Sequence, residues 1–168
     1  MAKSKMISAL VAASFACSSI AVPSVNAATT TASFGVSITI LQACAITSAS
    51  NMAFGSNSNS LTTNTDTTSS IGVLCTATTP YNIGLNAGST AGSSVTNRRM
   101  TDGTSLVNYN LYRESTRTTN WGNTVGTDTV GGTGTGLIVN TTVYGRVPVQ
   151  TAQEPGTYTD TITVTVTY

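Results

Sequence analysis

The residues with the most reactive side chains in this sequence are three cysteines, Cys17, Cys44 and Cys75. Cys17 falls in a leader that reads as removable, which leaves Cys44 and Cys75. An even pair in an exported protein favours a disulfide. Closing a loop of about thirty residues contributes roughly 3–4 kcal/mol in the chain-entropy account. Two free buried thiols are the alternative. Zinc needs more ligands than two cysteines supply, and the chain has no histidine to add.

The missing histidine also removes Ser–His hydrolysis, and serine and threonine are so frequent that none stands out as a nucleophile. Asp66, Asp102, Glu114, Asp128, Glu154 and Asp160 are scattered, with no pair on one local strand face. The tract GGTGTG at residues 131–136 lacks the Lys-Ser/Thr ending and following helix of a phosphate loop, so it reads as a connection. Arg98-Arg99 could hold an anionic sugar or phosphate. The plainer reading is a solvated strand end, or a partner for Asp102 and Glu114. Trp121 could stack on a sugar ring, although core or loop packing explains it as well. The expectation is no enzyme, no cofactor, no metal and no small-molecule substrate.

These residues must be held by a folded domain. Lys3 and Lys5, the apolar or small stretch 6–22 and Val25-Asn26-Ala27 fit a signal peptide over residues 1–27. Serines dilute that stretch and no basic stop-transfer segment follows, which disfavours a membrane anchor. Ser14-Phe15-Ala16 before Cys17 lacks the aliphatic first residue of a lipoprotein site. After cleavage five arginines face six carboxylates, a net charge of −1 without a lysine. Such a surface has no electrostatic footprint for nucleic acid. About 140 residues suffice for one core.

Alternation dominates the rest. On a strand, successive side chains face opposite ways, so Tyr158, Ile162, Val164, Val166 and Tyr168 share one face and threonines the other. Phe34, Val36, Ile38 and Ile40 form a second amphipathic strand near the front. Between them strands are expected at 44–47, 71–75, around Tyr81, Ile83 and Leu85, around Leu106 to Tyr112, and over 137–149. Residues 51–67 read as a loop with a short strand near Phe54, and 121–136 as a long flexible or hairpin connection. No window of the mature chain carries helical periodicity. About seven short strands predict an immunoglobulin-like antiparallel sandwich.

Several motifs, taken in order, resemble the spore coat protein U domain family, which includes subunits of archaic chaperone–usher pili. They are Asn97-Arg98-Arg99-Met100-Thr101, Asn108-Tyr109-Asn110-Leu111-Tyr112, Arg117-Thr118-Thr119 with Trp121-Gly122, and Tyr144-Gly145-Arg146-Val147-Pro148. The ending, Gly156-Thr157-Tyr158 through Thr163-Val164-Thr165-Val166, is equally close. Asn51-Met52-Ala53-Phe54-Gly55 stands where the family often has Asn-Leu-x-Phe-Gly, a conservative departure.

The resemblance implies an incomplete immunoglobulin-like sandwich, residues 43–168, lacking its last strand. It also implies a donor extension, residues 28–42, that fills the vacancy in a neighbouring subunit. Phe34, Val36, Ile38 and Ile40 would be the donor side chains, and Tyr158, Ile162, Val164, Val166 and Tyr168 the acceptor strand. The chain stops at that strand, as a subunit awaiting a donor should. Expected partners are identical or homologous pilin subunits, a periplasmic chaperone and an outer-membrane usher. Export through the periplasm to a surface pilus that supports adhesion and biofilm formation follows. A coat protein or a tip adhesin of the same fold are the alternatives. Burying four donor side chains gains about 6–12 kcal/mol gross, less roughly 1–2 kcal/mol per backbone residue ordered.

Overall fold

The computed structural model describes residues 26–57, 61–151 and 153–168. The expected leader lies outside them, except for Asn26 and Ala27. The chain falls into two units, Met1–Ile38 and Thr39–Tyr168, and all regular structure described belongs to the second.

Eight strands form it, with no helix among the described residues: β1 Cys44–Ala49, β2 Thr65–Cys75, β3 Pro80–Leu85, β4 Arg98–Thr101, β5 Leu106–Tyr112, β6 Val130–Thr133, β7 Ile138–Val147 and β8 Val164–Thr167. One sheet has the order β1-β2-β7-β5-β4 and the other β6-β3-β8, and every ladder is antiparallel. This is the all-β, immunoglobulin-like sandwich that the alternation predicts. Ile71 and Val73 of β2, Ile83 and Leu85 of β3, and Val107 and Leu111 of β5 turn inward and are buried, while their neighbours on each strand face outward or into a second layer. Cys44 and Cys75 are register partners and are joined by a disulfide, with Cα atoms 4.1 Å apart.

Several expectations need correction. Two strands, β4 and β6, arise where the sequence leads to a strand end and a flexible or hairpin connection. Arg98 is not solvated and does not pair with Asp102 or Glu114; it is fully buried. Trp121 is fully buried too, and its Nε1 donates to the Ile83 carbonyl at 2.8 Å, so no ring face is free for a sugar. The GGTGTG tract supplies the Gly131 and Gly132 of β6, which pairs with β3. A methyl group at Gly132 would sit 2.5 Å from the Tyr81 ring, so glycine there lets β6 lie over that ring. No strand forms near Phe54. Residues 34–40, expected as a donor to a neighbouring subunit, lie outside the ladders of this chain. A strand needs a partner edge, and alternation alone does not supply one.

The final segment is more irregular than its sequence. Thr159 exchanges backbone hydrogen bonds with Thr101 at the end of β4. Asn86 N donates to Thr163 O, and β8 then pairs with β3. The segment therefore crosses from the first sheet to the second. Its inward alternation survives the crossing: Tyr158, Asp160, Ile162, Val164 and Val166 are half-buried between exposed neighbours, while Tyr168 is exposed.

Candidate functional site

Two sheet edges define the site. Among the described residues β1 pairs only with β2, and β8 only with β3, so each leaves one edge outside any described ladder. These edges approach one another without pairing. Ahead of β8 lies a groove of about 490 Å³. One bank is formed by Ala49 to Met52 and Phe54, the other by Tyr158 to Ile162 and Val164. Ile71, Leu85, Tyr109, Leu111 and Val143 reach the groove from the core, so the sandwich interior is open along this line.

Ile46, within β1, is exposed as well. It is the register partner of Val73, which is 1% exposed, so its side chain belongs to the inner face. Yet Ile46 is 42% exposed. Ile46 is thus an inner-face isoleucine that its own sheet leaves largely in water.

Among the expected acceptor residues, Tyr158, Ile162 and Val164 line the groove. Val166 packs toward the core as the register partner of Ile83, and Tyr168 is exposed. The expected donor residues Phe34, Val36, Ile38 and Ile40 are between 75% and 87% exposed. Four large apolar side chains in water on one alternating segment are costly unless something else buries them.

Sequence reasoning passed over Asp160, the one charged residue among the described residues that line this groove. The signal was present, since Asp160 stands between Tyr158 and Ile162 on the inward-facing positions. Its Oδ2 accepts from the Tyr109 hydroxyl at 2.7 Å, and its Oδ1 from the Ser89 and Thr161 amides at 2.8 Å each. Burial alone would raise this carboxyl, but the donors from Tyr109, Ser89 and Thr161 outweigh it and hold it below the usual carboxylate range. Burial, and the bond to Asp160, push the Tyr109 phenol well up, so it stays a donor. The charge is satisfied by its own domain and serves to tie the C-terminal bank to the floor. The groove's other described lining is uncharged, and it adjoins two strand edges outside the ladders, which suits an extended apolar peptide. Among the described residues no cluster of His, Cys, Asp and Glu could hold a metal.

Comparison with known proteins agrees with this architecture. The model of the Spore Coat Protein U domain matches residues 30–165. Protein U of Myxococcus xanthus is 38% identical over 107 residues, covering 60% of this chain and 59% of that protein. A solved complex of the CsuC chaperone with the CsuE tip adhesion subunit, from archaic chaperone–usher Csu pili of Acinetobacter baumannii, contains a chain of similar fold. The TM-score is 0.55 at 24% identity, over 77% of this chain and 40% of that one. The matches thus span less than two thirds of either relative.

Proposed function

The chain belongs to the Spore Coat Protein U domain family, and on that premise we propose that it is a structural subunit of a chaperone–usher surface pilus, not an enzyme. Copies polymerise by strand exchange: residues 34–40 of one subunit enter the groove of the next. The observation that carries this reading is the pairing of a vacancy with an excess in one chain. The groove runs between two unpaired edges, and the alternating residues Phe34, Val36, Ile38 and Ile40 join no ladder. Added to either edge, a strand would gain backbone hydrogen bonds, and its alternate side chains would cover Ile46 and the groove floor.

A chaperone is the expected first occupant, because an open apolar groove with free edges is an aggregation hazard before assembly. An outer-membrane usher then exports the growing fibre, which places the product on the cell surface in adhesion and biofilm formation. Membership of a family described by a spore coat protein favours a second reading, a coat component assembled without fibres.

One experiment separates them. The exported protein is run on denaturing gels, unheated and boiled, for the unaltered chain, Ile38→Asp and Val164→Asp. Strand exchange predicts a ladder that boiling collapses. It predicts no ladder but an intact chaperone complex for Ile38→Asp, and loss of both for Val164→Asp. Monomer in every lane of the unaltered chain would sink the fibre reading in favour of the coat.

A further inference from the structure

We infer that the disulfide end of the five-stranded sheet is a contact surface for a second copy of this chain, the copy that receives residues 34–40; the inference rests on the strand-exchange reading above. Ala45 of β1, Leu74 of β2 and Ile138 of β7 are register partners in one row across three strands. Leu74 lies between the inward-facing Val73 and Cys75, so the row points to the outer face of the sheet. There Leu74 is 38%, Ile138 55% and the adjoining Leu137 73% exposed.

Charge is absent from this end. Residues 39–57, 67–97 and 129–145 contain no Asp, Glu, Lys or Arg. The ionic groups of the same β2–β7 pair gather at the far end, where Arg146 holds Asp66 through two hydrogen bonds of 2.7 and 2.8 Å and Arg117 lies 3.4 Å from Asp66. Apolar side chains with charges kept away have the composition of an interface centre. A solvated sheet face ordinarily carries polar side chains instead.

Chain length decides what covers the row. The last donor residue is Ile40, and β1 begins at Cys44. Four residue steps span at most about 14 Å when fully extended. Thr76, directly after β2, holds this leash: its Oγ1 donates to the Leu41 carbonyl at 3.2 Å and its amide to the Ala43 carbonyl at 2.9 Å. A recipient filled up to Ile40 is therefore held beside the end of the sheet that carries Leu74, Leu137 and Ile138. Two sheets of a sandwich alone are about 10 Å apart, so the recipient is broad enough to lie against that end. The row would act as a second joint, limiting the swing of one subunit on the next.

The test uses polymers of the full chain carrying either Leu137→Ser or the pair Leu74→Thr with Ile138→Thr. Threonine keeps strand propensity, and Leu137 precedes β7 and is mostly solvated, so Leu137→Ser leaves the sheet intact. Both variants should still give the unheated ladder, because the donor strand is untouched. Their fibres should bend more sharply in electron micrographs, and the ladder should decay about tenfold faster at a fixed temperature. If circular dichroism shows the double variant unfolded, Leu137→Ser decides alone. Unchanged bending and lifetime overturn the inference while leaving strand exchange standing. No ladder from the unaltered chain overturns strand exchange, and this inference with it.

Discussion

Arg98 shows how much a single side chain can organise in a domain of low charge. It is fully buried, and its guanidinium donates to four carbonyls: Leu85 at 3.1 Å, Asn86 and Val95 at 2.9 Å, and Trp121 at 2.7 Å. Those carbonyls come from the end of β3, the loop before β4 and the segment leading to β6, pieces that no ladder joins. Burial lowers the guanidinium to about 10, still charged at neutral pH, and the charge of Asp160 partly opposes that shift. Arg98→Met would leave carbonyls without donors in the core. We expect a loss of about 3–5 kcal/mol, seen as a lower urea midpoint at unchanged slope. Arg98→Lys should recover only part of it, because a point-like ammonium cannot span carbonyls that a planar fork reaches. A midpoint unchanged by Arg98→Met would mean that the loops find other donors. The sequence hid this role because an arginine pair is ordinarily a solvated feature, and its partners lie between 3 and 23 residues away.

At the scale of elements, Gly145 of β7 links the sheet to the groove. Its neighbours at two-residue spacing, Val143 and Val147, are buried, so a side chain at 145 would also point inward. A methyl group there would collide with the Met52 sulfur and come within 3.0 Å of the Phe54 ring. Met52 and Phe54 form part of one bank, and Phe54 meets Tyr109 edge-on with centroids 6.2 Å apart. Gly145→Ala should therefore displace that bank. We expect a loss of about 1–3 kcal/mol from overpacking, with less ladder in the unheated lane and an unaltered disulfide. Full ladder yield at reduced stability would separate the bank from strand capture. What the sequence discloses divides on the same line. Period-two patterns at Tyr81, Ile83 and Leu85 and at Val107, Tyr109 and Leu111 mark β3 and β5, because both strands pack one face on the core. β4 and β6 escape that reading, since an arginine and glycines occupy the positions where apolar residues would signal a strand. Register was illegible as well, because it depends on partners far along the chain.

For the whole molecule, the distribution of its few charges decides how an assembled fibre should respond to salt. Ionic groups cluster around Asp66, Arg117 and Arg146, whereas the strands that border the groove, β1 and β8, carry none. The donor residues are equally uncharged, and the groove's own carboxylate, Asp160, is taken up by Tyr109, Ser89 and Thr161. A joint of apolar side chains and ladder hydrogen bonds has little to lose from screening. Raising sodium chloride from about 0.1 to about 1 M shortens the screening length from ~10 to ~3 Å. The rate at which the unheated ladder decays should then change by less than about twofold, because the groove offers no ion pair to screen. Hydrophobic burial is at the same time little weakened by this salt, so no compensating loss is expected. Decay that accelerates steeply with salt would instead place the Asp66 cluster within the joint. The neighbour would then sit at the charged end of the sheet rather than beside Leu74 and Ile138.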